Sequence, residues 1–233
     1  MDMFDPSTLE IERIYASSLG LGLRTIGVTA TTWDSGTTSL AKSLASRSAL
    51  AEQKTLYVDL TTPVRAEGDP SEGEWQPHLS GPGQAIQTGG DEPYDRLILH
   101  ADLKDAMAVR DRDRLKIAFN SDLIRYRAIV VDLPPIPRSN PAALPSNIGA
   151  ASCEGIVLIG LVGAVTEETL SQSYEAIRAT GTQLLGMVLN DRDAPTLGQE
   201  MAREALRFRR VFPWLANGLA SKALKSKLLN SRP

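Results

Sequence analysis

The sequence predicts an α/β protein: a doubly wound, mainly parallel sheet with helices on both faces. Three observations predict it. Several strand-length segments are apolar throughout, as strands buried on both faces must be. They alternate with amphipathic helical segments, the pattern of a sheet covered on both sides. The polar residues Asp59, Asp132 and Asn190 stand at the carboxyl ends of the strands, where such sheets hold their ligands.

Taken in order, residues 7–18 are expected to form a helix, with Ser7 and Glu10 as a capping box and Ile11, Ile14, Tyr15 and Leu19 at helical spacing; Gly20 and Gly22 end it. A strand from Thr25, a polar loop and a helix over about 38–53 follow, with Leu40, Ala41, Leu44 and Ala45 on one face. Thr55 to Leu60 is a strand closing on an acid. Residues 61–93 hold five prolines and six glycines with almost no apolar period, and read as a long surface excursion. Residues 96–100 are a short strand, and 111–127 a helix burying Leu115, Ile117, Ala118, Leu123 and Ile124. Buried strands follow from Ala128 to Asp132 and from Gly155 to Leu161. Thr166 caps a helix carrying Leu170, Tyr174 and Ile177, stopped by Gly181. The strand 184–190 and two helical segments, from near Pro195 and over 214–229, complete the chain.

A chain of 233 residues that is 42% hydrophobic suffices for one sizeable core. Its net charge of −3 gives no case for a nucleic-acid partner, and the single cysteine, Cys153, suits a reducing compartment. The N-terminus lacks the basic-then-apolar pattern of a signal peptide, and the run from Gly155 to Val165 is short of the ~20 residues that span a bilayer. A cytoplasmic protein is expected. Charge is uneven: from Met201 onward eight Lys/Arg face only Glu204, a tail of +7 against −10 for the remainder. The expected division is a domain over residues 1–212 and a basic helical tail over 213–233.

The loop from Ala30 to Thr38 has the layout of a phosphate-binding P-loop, in which backbone N–H groups and a lysine converge on an anion. The chain resembles the deviant-Walker P-loop ATPases, the group of MinD, ParA and the bacterial tyrosine kinases. It is most similar to the kinase branch, the cytoplasmic partners of polysaccharide chain-length and export proteins. Ile26-Gly-Val-Thr-Ala with Ser35-Gly-Thr-Thr-Ser39 matches the first strand and loop. Thr55-Leu-Tyr-Val-Asp59 matches the second acidic strand, Ile129-Val-Val-Asp-Leu-Pro-Pro135 the Walker B strand, and Gly186-Met-Val-Leu-Asn190 the strand whose asparagine contacts adenine. The resemblance implies a residual nucleotide site at Gly36, Thr37, Thr38, Ser39 and Asn190. It implies Mg²⁺ at Thr38, Asp59 and Asp132, should nucleotide bind.

Five departures bear on the chemistry and assembly. Thr37 stands at the lysine position and Asp34 where the kinases carry glycine. Lys42 is expected to point away from the loop. Losing a hydrogen bond to a charged group costs ~1.5–3 kcal/mol, roughly ten- to a hundredfold in affinity. Thr61 replaces the family's second acid. No tyrosine follows Tyr174, which argues against a self-phosphorylated tail, and in the ring-forming pattern of the first helix Glu10 and Arg13 match but Ala16 replaces the last arginine.

The expected function is therefore a catalytically defective kinase-like scaffold or regulator of exopolysaccharide synthesis and export. Asp59 and Asp132 are vestigial, and no cofactor is bound beyond weak ATP or ADP with Mg²⁺. Its partner would be the cytoplasmic segment of a membrane polysaccharide protein, with self-association through Glu10 and Arg13. The alternative is a weakly active MinD/ParA-like ATPase cycling on the membrane surface. A ligase of the dethiobiotin-synthase kind shares the scaffold and ranks last, since it also needs the lysine. For the tail, packing of Trp214 and the leucines on the core is favoured over contact with the inner membrane.

Overall fold

The structure, a computed structural model, describes residues 4–61, 85–98, 111–136, 145–192, 196–208, 213–226 and 229. It comprises two units, Met1–Asn190 and Asp191–Pro233.

In the first unit, β1 (Thr25–Ala30), β2 (Thr55–Asp59), β3 (Ile86–Gln87), β4 (Asp95–Ile98), β5 (Ala128–Asp132), β6 (Gly155–Leu161) and β7 (Gln183–Asn190) form one sheet in the order β3-β4-β2-β5-β1-β6-β7. Every pairing is parallel except β3 with β4. The helices are α1 (Leu9–Ala16), α2 (Thr37–Leu50), α3 (Arg112–Ser121), α4 (Ser146–Ala151) and α5 (Glu167–Thr180). This is the doubly wound, mainly parallel architecture that the sequence predicts.

Strand alternation builds two cores. Ile26, Val28, Tyr57, Val130 and Ile159 turn to one face, where Ile11 of α1 and Leu40 and Leu44 of α2 cover them. Leu56, Val58, Ile129, Val131 and Leu158 turn to the other, under Leu115 and Phe119 of α3, Ala150 of α4 and Ile177 of α5. Arg24, just before β1, joins the sheet to α3: its Nε donates to the Tyr126 carbonyl (3.0 Å), Nη1 to that of Phe119 (3.0 Å) and Nη2 to that of Leu123 (2.6 Å). It thus satisfies carbonyls that the end of a helix leaves open.

Several local expectations need correction. Ser7 does not cap α1; Thr8 precedes the helix without a side-chain cap, and Ser7 donates its N–H and hydroxyl to Asp5 at 2.8 and 2.6 Å. The α3 helix ends at Ser121, leaving Ile124 beyond it and exposed; within the helix Ile117 is exposed while Phe119, which the periodic reading omits, is buried. Tyr174 is likewise exposed. Thr166 does cap α5, in a capping box with Thr169, and Gly181 ends it at φ +77°. Within the expected excursion, Ile86–Gln87 forms the antiparallel edge strand; residues 62–84 lie outside the described residues, as do 99 and 100 of the expected strand 96–100.

The second unit holds α6 (Leu197–Arg207) and α7 (Pro213–Lys225). Thr196 caps α6 through a capping box with Gln199. Its buried cluster is built of Ala202, Ala220 and Ala223, whereas Trp214, Leu215, Leu219 and Leu224 are exposed. Of the residues on the apolar side of α7, Ala216, Ala220 and Ala223 are buried and Leu215 and Leu219 are exposed. Among the described residues no helix is long and apolar enough to cross a membrane.

Candidate functional site

The site lies at the carboxyl ends of β1, β2 and β5. The loop leaving β1 turns through two left-handed residues, Asp34 at φ +59° and Gly36 at φ +96°, before α2 starts at Thr37. Glycine takes this conformation without strain, and aspartate is among the few other residues that tolerate it. Ser35, fully buried, closes the loop: its hydroxyl donates to the Thr32 carbonyl at 2.8 Å and shares a 3.0 Å bond with the Thr32 hydroxyl. Asn190, at the end of β7, donates its side-chain N–H to the Ser35 carbonyl at 2.8 Å, tying the loop to the far side of the sheet.

The register sets Asp59 beside Asp132. Asp132 is fully buried; its Oδ2 accepts from the Tyr57 hydroxyl at 2.8 Å, and its Oδ1 has no hydrogen-bond partner. Burial pushes its carboxyl up to about 7, against the Thr38 and Tyr57 hydroxyls that lower it; the Asp59 charge adds to the rise and Lys42 opposes it. Asp59 is differently provided. Its Oδ1 accepts from the Thr61 N–H (2.9 Å) and hydroxyl (2.7 Å), and Arg96 of β4 stands 3.6 Å from its Oδ2. Burial, then the charge of Asp132, drive the Tyr57 phenol far above its ordinary range, so it remains a donor.

Lys42, one turn beyond Thr38, lines a cavity of about 370 Å³ with Thr38, Ser39 and Glu92. Its charge also acts on Asp132, lowering the carboxyl slightly against the effect of burial.

No family model matches the chain, and no curated protein matches it in sequence. Its architecture does have counterparts among solved structures. The chimerical protein CapA2B2 is 21% identical over 79% of this chain and 86% of its own, with a TM-score of 0.62. The kinase domain of the Escherichia coli tyrosine kinase ETK is 20% identical over 79% of this chain and 74% of its own, also at 0.62. The ATP complex of a Cyanothece McdA variant is 14% identical over 83% and 81%, at 0.52. This chain has the fold of the deviant-Walker P-loop ATPases.

The sheet therefore brings together Gly36, Thr37, Thr38 and Ser39 at the start of α2 with Asp59, Asp132 and, through Ser35, Asn190. Mg²⁺ keeps several waters and takes one or two carboxylates beside phosphate oxygens; here Asp59 Oδ1 accepts from Thr61, Asp59 Oδ2 faces Arg96, and Asp132 is engaged by the Tyr57 and Thr38 hydroxyls, so both acids already answer to groups of the chain itself. Thr37, directly after the left-handed Gly36, opens α2. Sequence reasoning missed Tyr57, Arg96 and Ser35. Alternation could have found Tyr57, two residues before Asp59 and so on the same face; Arg96 requires the β2–β4 register, which pairs it with Tyr57.

Proposed function

We propose that this chain is a non-turnover relative of the bacterial tyrosine kinase domains, a scaffold or regulator that works through protein contacts in exopolysaccharide synthesis and export. The observation that carries it is the loop. It keeps its left-handed turns and its tether to β7, while Thr37 opens α2 in place of the phosphate-binding lysine. Phosphoryl transfer depends on positioned positive charge, and this loop supplies a carboxylate, Asp34, and no cation. The partner in this reading is the cytoplasmic segment of a membrane polysaccharide protein, with self-association through the exposed Glu10 and Arg13 of α1. The test is ATP turnover by the purified chain with Mg²⁺. Turnover that Asp132→Ala abolishes would overturn the reading.

A second reading, a weakly active MinD/ParA-like ATPase on a membrane surface, is favoured by one observation: the buried Oδ1 of Asp132 has no partner, an expensive arrangement that a purely structural carboxylate would avoid. Its membrane contact would be the basic second unit, with exposed Trp214, Leu215 and Leu219 beside Lys222 and Lys225. Calorimetry showing no ATP–Mg²⁺ or ADP binding at millimolar concentration removes this reading. Co-sedimentation with anionic vesicles, with and without residues 213–233, tests the membrane contact separately.

A further inference from the structure

We propose that Arg96 and Thr61 together take the electrostatic place of a divalent cation at Asp59, so that the acid pair of this chain is closed to metal. This deepens the reading above and rests on the same loop, but metal binding is measured without nucleotide, so either can fail alone.

Asp59 and Asp132 are direct neighbours across β2 and β5, with side chains on the same face of the sheet, the face that α2 covers. Two adjacent carboxylates repel, and the pair is relieved by a proton on one of them or by a positive group beside it. A bound cation is one solution, and the chain carries another. Arg96 lies on β4 in register with Tyr57, and its guanidinium reaches along the strand to stand 3.6 Å from Asp59 Oδ2, 6.0 Å from the centre of the Tyr57 ring. Its Nε is buried without a hydrogen-bond partner. Among the described residues, the carboxylate paired with it is that of Asp59.

Thr61 acts in the same direction. The resemblance places a second acid here, which would add an oxygen donor for a metal and a further negative charge. Instead Thr61 supplies two hydrogens, its N–H at 2.9 Å and its hydroxyl at 2.7 Å, both on Asp59 Oδ1. The lone pairs of Oδ1 are therefore spent on the strand's own turn, and Oδ2 is left facing the Arg96 guanidinium. Cation and hydrogen donors converge on one carboxylate, and Asp59 becomes the anchor of the β2 end rather than a ligand.

The test counts free Mn²⁺ by electron paramagnetic resonance in solutions of the full chain, without nucleotide. Wild type is expected to hold Mn²⁺ no better than Asp59→Asn. Arg96→Gln, at a side chain 39% exposed, should tighten Mn²⁺ binding at least threefold. Thr61→Asp with Arg96→Gln should tighten it at least tenfold, and adding Asp59→Asn should remove the gain. Arg96→Lys, which keeps the charge, should behave as wild type. The proposal is overturned if wild type binds Mn²⁺ with an affinity that Asp59→Asn abolishes. It is equally overturned if Arg96→Gln, folded by circular dichroism, gains nothing.

Discussion

Replacing Asp132 by asparagine should stabilise the protein, and only at neutral to alkaline pH. The Asp132 carboxyl is fully buried and displaced from its ordinary value of 3.8 to about 7, with burial as the main cause. That displacement corresponds to roughly 4 kcal/mol of preference for the neutral form. The sign follows from linkage: between these two values the folded state binds more protons than the unfolded state, so stability falls as pH rises. The penalty is absent below about pH 4, grows through the interval and is complete above about pH 7. Asparagine removes the charge while the Tyr57 hydroxyl still donates to its side-chain oxygen. Its amide N–H groups then occupy the place of the unpartnered Oδ1, which returns part of the gain, since an unsatisfied buried donor costs about 1–3 kcal/mol. A net stabilisation of about 1–3 kcal/mol at pH 8 is expected. Urea unfolding of both proteins at pH 4 and pH 8 measures it. A difference between variant and wild type that is the same at both pH values, or that turns against the variant at pH 8, would refute the reasoning.

Three further outcomes are expected. Thr37→Lys with Asp34→Gly restores one cation and removes one anion from the loop, and should raise ATP affinity about ten- to a hundredfold in calorimetry; equal binding by wild type would mean that the loop recruits a cation from elsewhere. Arg24→Ala removes three guanidinium bonds from the carbonyls of Phe119, Leu123 and Tyr126, and should lower stability by about 2–4 kcal/mol, read as a fall in the urea midpoint at constant slope. Gly27→Ala places a methyl group 2.6 Å from Ile156 Cδ1, 2.9 Å from Leu133 Cδ1 and 3.0 Å from Cys153 Sγ. Overpacking of that kind should cost about 1–3 kcal/mol, visible as a lower melting temperature.

The sheet was legible because it is periodic. Strands such as Ala128–Asp132 and Gly155–Leu161 are apolar at every position up to their ends, and the order of acids at those ends locates the site before any coordinate does. Short or polar elements were not legible. Ile86–Gln87 is two residues long and acquires strand geometry only by pairing with β4, and α4 is a six-residue helix of mostly small residues. In the second unit the large apolar residues, the usual markers of a buried face, are exposed, and alanines form the buried cluster. At the site, Asp59 and Asp132 were found but their partners were not. The Tyr57–Asp132 bond joins residues 75 positions apart, and the contact of Arg96 with Asp59 crosses from one strand to the next. Such neighbours follow from register, which a sequence without pairing information does not contain.

The loop itself shows why its shape is a poor guide to its chemistry. Its conformation rests on the left-handed turns at Asp34 and Gly36, on the Ser35 hydroxyl bonded to Thr32, and on Asn190 bonded to the Ser35 carbonyl. None of these bonds involves the side chain of residue 37. The lysine that binds phosphate in such loops is consequently free to change without cost to the fold, whereas Ser35 and Gly36 are not. Asp34 marks the boundary between the two kinds of constraint: the backbone there requires a residue that tolerates positive φ, while phosphate binding would require that it carry no negative charge. Aspartate meets the first requirement and fails the second.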